Sequence, residues 1–326
     1  MKTSVLNRSV PRLGALTDRQ LNRLILGVAI ALIIGIPTLA ILYVIDQAAS
    51  RQPTLAERQI STLEAQVREN PNTISLRLQL AGAYGAAKRY DDGIAQLTAV
   101  LQASPDEKTA LVTRGDYYLI EQKLDLAAAD YEHVISITAG GEFANVDTEL
   151  HQAYYNLGSI RLGQGNAADA IKNLEAALVI NKTDADTLNL LGQAYLASGD
   201  AATAVERLRA AILFVPVGWA DPYTTLQKAY TALGKTDEAT WAGAMADYAG
   251  GNVQAALGVL GTLTSGDAAV DAYVGIGLAN EQLGDTAAAL AAYRSALALD
   301  PQNFTALDGQ TRTSAPAASP TGAGGG

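Results

Sequence analysis

Two histidines, His133 and His151, are the only imidazoles in the chain. Acidic residues flank both: Asp130 and Glu132 beside the first, Glu149 beside the second. Imidazole and carboxylate are the donors of a hydrolytic metal site, which needs three or four of them converging on one point. The insertion between the two histidines leaves their separation open, a metal pair would need a third ligand, and two ordinary, partly exposed side chains are the expected reading. Asp91 and Asp92 form a carboxylate pair, but at a helix start, where the macrodipole favours negative charge without any catalytic role. Glycines at 258, 261 and 266 lack the lysine and preceding strand that a phosphate loop uses. The chain has no cysteine, which excludes disulfides, thiolate metal sites and cysteine nucleophiles. No nucleophilic triad and no convincing catalytic carboxylate pair emerges. Neither an enzyme, a cofactor nor a metal is expected.

The elements that carry these residues are expected to be helical throughout. Apolar residues make up 49% of 326, with few Phe and Trp, so Ala and Leu supply most of the apolar surface. Both are strong helix formers. The formal net charge is −10. Residues 1–23 hold Lys2, Arg8, Arg12, Arg19 and Arg23 against Asp18, a net +4, which leaves −14 for the remainder. So acidic a body argues against nucleic acid as a partner, because that binding rests on neutralising phosphates with Lys and Arg.

Behind the basic arm, LILGVAIALIIGIPTLAILYVI runs from Leu24 to Ile45 without a charge. About 20 apolar residues suffice for a helix to cross a membrane. A cleaved signal peptide is the rival, but its apolar core is shorter and Asp46 and Gln47 spoil the simplest cleavage sites. The segment is expected to be a single transmembrane helix. The positive flank keeps residues 1–23 cytoplasmic and places everything after Ile45 outside the cytoplasmic membrane. Gly27, Ala31 and Gly35 fall four apart on one face, a spacing that lets a second helix pack closely in lipid. Pro37 is expected to kink the span.

From residue 71 onward the chain repeats itself. LAGAY (80–84), RGDYY (114–118), LGSIR (157–161), LGQAY (191–195), LQKAY (226–230) and IGLAN (276–280) align, each followed by an Ala-rich apolar run such as AIKNLEAALVI or ALAAYRSALALDP. The pattern resembles the tetratricopeptide repeat family, including its membrane-anchored bacterial members, whose unit is a pair of antiparallel helices of about 34 residues. The resemblance implies an all-α fold: an α-solenoid behind one membrane helix. It makes Ala81, Gly115, Gly158, Gly192 and Gly277 the small residues at which the paired helices cross. It also makes Tyr84, Tyr118, Tyr195 and Tyr230 fillers beside them, and Pro105, Pro216 and Pro301 terminators of second helices. Arg161 and Asn280 replace the aromatic, and Gln227 replaces the small residue.

The register locates the irregularities. Gly115 to Gly158 is nine residues too long, and TAGGEFANVD (138–147) is the obvious loop. Gln227 to Gly277 is too long by about one helix and its turn. The segment 241–263, interrupted by Gly250–Gly251, should therefore hold an extra helix. Ser104–Pro105 with Glu107 reads as a capping box, and Asp221–Pro222 and Asn70–Pro71 as similar helix starts. Ile60, Leu63 and Val67 lie at helical spacing in a juxtamembrane linker over 46–70. The repeats span 71–307, and residues 308–326 are expected to be disordered.

In the family, the concave face is lined three before, one after and four after the small position. Carried over, that stripe is Leu78, Gly82 and Gly85; Val112, Asp116 and Leu119; Tyr155, Ser159 and Leu162; Asn189, Gln193 and Leu196; Thr224, Lys228 and Thr231. With one Lys and no Arg, it does not resemble the family's carboxylate clamp. Apolar surface and amides suit a protein or an extended peptide segment, with Tyr155, Asn189 and Gln193 the central contacts. The resemblance implies a membrane-anchored interaction scaffold or assembly factor with its repeats on the extracytoplasmic side. The alternative is a permanent accessory subunit of a large membrane complex.

Overall fold

The computed structural model describes residues 18–50, 54–214 and 218–314. The chain divides at Thr62/Leu63 into two compact units. In the first, α1 (Asp18–Ser50) carries the uncharged stretch Ile25–Val44, whose mean hydropathy is 2.7 and none of which is buried. Pro37 lies inside α1, and the Thr38 hydroxyl donates to the Ile34 carbonyl one turn back. Space is open around Gly27 and Gly35. Helix α2 (Leu55–Glu69) straddles the boundary, and Ile60, Leu63 and Val67 are all buried.

The second unit is a stack of antiparallel helices: α3 (Ile74–Ala86), α4 (Tyr90–Ala103), α5 (Lys108–Ile120), α6 (Leu124–Thr138), α7 (Thr148–Gly163), α8 (Ala167–Ile180), α9 (Ala185–Ala197), α10 (Ala201–Phe214), α11 (Ala220–Ala232), α12 (Thr236–Ala249), α13 (Val253–Leu260), α14 (Ala269–Leu283), α15 (Thr286–Leu299) and α16 (Phe304–Ser314). No strand occurs among the described residues. The pairs α3–α4, α5–α6, α7–α8, α9–α10, α11–α12 and α14–α15 pack most closely.

Four of these pairs cross at a glycine because a large residue stands opposite, sixteen residues further on. A Cβ on Gly115 would lie 2.9 Å from the Tyr131 ring, and one on Gly158 2.7 Å from Leu174. Gly192 is closed off in the same way by Leu208, and Gly277 by Tyr293. Tyr131, Leu174, Leu208 and Tyr293 are fully buried. Between the two helices the chain turns through a left-handed residue seven after the small position, such as Gly165, Gly199 or Gly284, with positive φ. The next residue opens the second helix, and Asn166 and Asp285 there accept backbone N–H bonds as caps. In the first two repeats this left-handed position falls to Lys88 and Gln122, both at φ 59°.

Three expectations are refined or corrected. First, the tyrosine three after the small residue not only packs beside it but, at Tyr84, Tyr195 and Tyr230, also reaches back to the preceding repeat. Tyr84 donates to Glu64 (2.7 Å), Tyr195 donates to Glu175 (2.5 Å), and Tyr230 accepts from Arg209 (2.9 Å). Arg161 does the same through an ion pair with Glu132. Second, Ser104 is not an N-cap; it closes α4, and Glu107 precedes α5. Pro71, Pro105 and Pro301 all stand two residues beyond a helix end, where a residue without an N–H cannot continue the ladder. Pro222 lies within the first turn of α11, after a start at Ala220. Third, residues 308–314 are ordered helix: α16 seats Gly309 on the far side of the Tyr293 ring and buries Ala306 completely. A half repeat therefore covers the apolar end of the last pair. The second compact unit itself begins at Leu63, inside α2 and ahead of the repeats. Residues 1–17, the Pro216 position and residues 315–326 lie outside the described residues.

The extra helix is α13, and the insertion at 138–147 is a loop with one 3-10 turn at Ala144–Val146. At α11–α12 the crossing is inverted. Gln227 occupies the small position, and Gly243, sixteen residues on, makes room for it: a Cβ there would meet the Gln227 amide at 2.5 Å. Gly243→Leu alone should cost about 1–3 kcal/mol by overpacking, and adding Gln227→Gly should restore most of that loss. Urea unfolding of the four proteins of the cycle measures it; strictly additive effects would refute the inversion. At the turns, Gln122→Gly should stabilise the fold by up to about 1 kcal/mol, since a side chain is strained in the left-handed region. A loss of stability in the same assay would contradict that.

Candidate functional site

Which side of the stack is concave follows from which alternate helices touch. Helix α5 touches α7, α7 touches α9 and α9 touches α11, whereas α6, α8 and α10 make no comparable contact with one another. The stack thus closes on the first-helix side up to α11. Polar ties reinforce it. Lys108 pairs with Asp147 and with Glu149 (3.1 Å), Thr109 donates to Glu149 (2.8 Å), and His151 lies 3.6 Å from Asp184. Beyond α12 the closure changes sides. Helix α12 touches α14 and α14 touches α16, while α11 and α13 make no comparable contact. The gap they leave is a cleft of about 610 Å³ whose lining includes Gln227, Thr231, Thr240, Gly243, Asp247 and Val259.

The expected stripe divides along this surface. Val112 and Asn189 are buried, and Asn189 Oδ1 has no hydrogen-bond partner. Leu78 and Leu119 are half-buried against the core around Ala81 and Tyr117. Gly85 serves packing: its Cβ space is taken by Tyr117, whose hydroxyl donates to the Ala81 carbonyl at 2.9 Å. Tyr155 and Leu162 lie half-buried against the core of α8 and α9, and burial, then Asp186 and Asp184, push the Tyr155 phenol up. Leu196 packs on the next core segment. Gln193 is half-exposed, and Thr224, Lys228 and Thr231 are exposed, the last on the edge of the cleft.

Asp116 is tied into the fold rather than free in the groove. Its Oδ1 accepts from the Tyr131 hydroxyl (2.6 Å) and Asn156 Nδ2 (3.1 Å), and its Oδ2 from Gln152 Nε2 (2.8 Å). Asn156 also donates to the Tyr131 oxygen at 2.9 Å. Three helices, α5, α6 and α7, meet at this carboxylate. Burial raises the Asp116 carboxyl above its ordinary range, against the lowering effect of the bonds from Tyr131 and Gln152. The single-repeat offsets missed this network because its members come from two repeats.

The histidines point to different acids. His133 Nε2 lies 2.8 Å from Asp106, and His151 faces Asp184. Among the described residues, no three His, Cys, Asp or Glu side chains converge on a metal-sized site.

Paired antiparallel helices, stacked through small-to-large crossings and presenting an open face of mixed apolar and amide character, define a solenoid interaction domain. Tetratricopeptide repeat models match residues 161–217, 78–142 and 242–304, together more than half of the chain. The chain belongs to the tetratricopeptide repeat family. The last match opens on α12, which thus closes one repeat and begins the next block. Among solved structures, that of MamA is 22% identical with a TM-score of 0.50, over 57% of this chain and 96% of that one. YrrB, described as a TPR protein with an unusual peptide-binding site, is 18% identical with a TM-score of 0.51, over 60% and 96%. At these identities the likeness is one of fold. No curated protein matches the chain.

Asp116→Ala leaves the Tyr131, Gln152 and Asn156 donors without their acceptor and should cost about 1–3 kcal/mol. Asp116→Asn keeps an acceptor and sheds the buried charge, so it should cost clearly less. Because the folded carboxyl titrates above the unfolded one, its protonation favours the fold. The wild type should therefore gain stability relative to Asp116→Asn as pH falls from neutral towards 4. Denaturant curves at several pH values measure both effects, and a difference that moves the other way would refute the assignment.

Proposed function

We propose that the protein is a membrane-anchored scaffold or assembly factor whose repeats hold a protein or an extended peptide segment on the outer side of the cytoplasmic membrane. The observation that carries the reading is the uncharged, wholly unburied Ile25–Val44 helix placed ahead of a protein-binding fold. The +4 arm before it supports an inside N-terminus. The peptide-binding site named for YrrB supports an extended segment as ligand. Along the first-helix groove, Tyr155 and Gln193 supply an aromatic contact and an amide, while Asn189 is itself buried, with an Oδ1 acceptor that has no partner in the protein. Leu78, Val112, Leu119, Leu162 and Leu196 form the apolar bed behind them, with Lys228 an exposed charge and Asp116 held in its own hydrogen-bond network. Within the membrane, Gly27, Ala31 and Gly35 offer a face for a second helix.

Protease added to the outer face of spheroplasts should remove the repeats; full protection until lysis would overturn the orientation. In quantitative pull-downs from gently solubilised membranes, Tyr155→Ala should weaken partner recovery by the equivalent of about 2 kcal/mol, with helicity retained. Binding should depend only weakly on salt, since apolar and amide contacts are not screened as exposed charges are. Unchanged recovery with intact helicity would remove Tyr155 from the site. Stoichiometric recovery with one complex would favour the accessory-subunit alternative.

A further inference from the structure

Helix α12 has two used faces. Thr240, Gly243 and Asp247 line the cleft beside Gln227, while Trp241, Met245 and Tyr248 point into different space on the other side. There, two cavities of about 290 and 450 Å³ adjoin, sharing Leu213, Leu278, Phe304 and Thr305. They adjoin where α12, α14 and α16 stack in contact after the odd helix α13, with α10 tied to α14 through the Arg209–Asp271 pair.

The walls specify what fits. The inner cavity is lined by Tyr223 and Trp241, in edge-to-face contact at 5.9 Å, by the adaptable Met245, and by Gly275, against which Met245 and Leu260 pack where a Cβ would stand. Its one guanidinium is spent: Arg209 pairs with Asp271 at 2.8 and 2.9 Å and donates to the Tyr230 hydroxyl. The outer cavity is unbalanced. Arg312 is shared by Glu281 (2.9 Å) and Asp308, two carboxylates against one guanidinium. At the shared rim, Phe304 and Leu213 are 72% and 57% exposed, an apolar pair facing water beside an apolar cavity. The volumes lie near the lower end of small-ligand pockets, about 300–1,000 Å³. That admits a side chain and its neighbours, not a helix about 10 Å across.

We infer that this cavity is a second binding site, which takes a bulky apolar side chain from a partner's extended segment, with a Lys or Arg adjacent in sequence to meet the excess carboxylate at Glu281 and Asp308. It lies on the opposite side of α12 from the cleft that ends the first-helix groove, so both can be filled at once and the repeats can bridge two segments.

The chain has two tryptophans, so Trp219→Phe leaves Trp241 as the sole fluorescent reporter in the full-length, detergent-solubilised protein. Three capped peptides are the probes: acetyl-Gly-Phe-Lys-Gly-amide, its Phe-Glu counterpart and its Ala-Lys counterpart. The Phe-Lys peptide should change Trp241 emission saturably, and the other two should bind at least about fivefold more weakly, roughly 1 kcal/mol. Phe304→Ala and Leu213→Ala remove exposed rim groups, so folding is preserved, and each should weaken the Phe-Lys peptide by a similar factor. Leu126→Ala, on α6 and also exposed, should not. No saturable change, an affinity for either of the other two peptides equal to that for the Phe-Lys peptide, or an equal loss with Leu126→Ala would overturn the assignment.

Discussion

Two helices can lie against each other only as closely as their largest facing side chains allow. In this protein every regular pair solves that with one residue that has little or no side chain and one large partner sixteen residues later. Gly115 with Tyr131, Gly158 with Leu174, Gly192 with Leu208 and Gly277 with Tyr293 are the instances. Fully burying a large apolar side chain is worth about 1.5–3 kcal/mol, and the small residue lets the larger one be buried without prising the helices apart. The left-handed turn seven residues after the small position then returns the chain at the right height for the two to meet. Stacking depends on this, since a repeat whose own helices stood apart could not present a continuous apolar side to its neighbour.

The same constraint explains the departures. Gln227 can stand at a crossing because the missing volume has been moved to Gly243 on the other helix. Helix α13, eight residues long, adds an odd member to a stack that otherwise alternates. Alternation fixes which helices face inward, so one extra helix moves the inward side from α11 to α12. The consequence is two surfaces with different chemistry. The first-helix groove runs from the half-buried Leu78 towards the threonine-rich cleft at Thr231. The second surface is aromatic, bounded by the Arg209–Asp271 and Arg312–Glu281 pairs.

A set of polar groups in the body connects repeats. Tyr84, Tyr195 and Tyr230 reach back some 20 residues, and Asp116 gathers donors from α6 and α7. Such bonds fix how one repeat is rotated on the next, and hence the curvature of the groove. The Tyr84 phenol, buried beside Glu64, is pushed up to about 12, which keeps it protonated as a donor at any physiological pH.

The sequence alone determined the helical class, the uncharged run ahead of the repeats, the crossing residues, the loop near 138–147 and the surplus helix near 250. Each of these is written in local periodicity or in the spacing between like residues, and both survive without coordinates. It left the separation of His133 and His151 open, and the structure sets them beside different acids, Asp106 and Asp184. Only the tertiary structure decided what lies between repeats: the reach of the tyrosines, the network that takes up Asp116, the seat that α16 makes on Tyr293, and the burial of Val112 and Asn189. The single-helix stripe treated all fifteen positions as equivalent. Whether a stripe residue faces solvent or a neighbour depends on how closely the next first helix approaches. That distance is set by side chains 30 to 40 residues away, as in the bond from Gln152 to Asp116, and after α13 by a reversal of the inward side that no local pattern records.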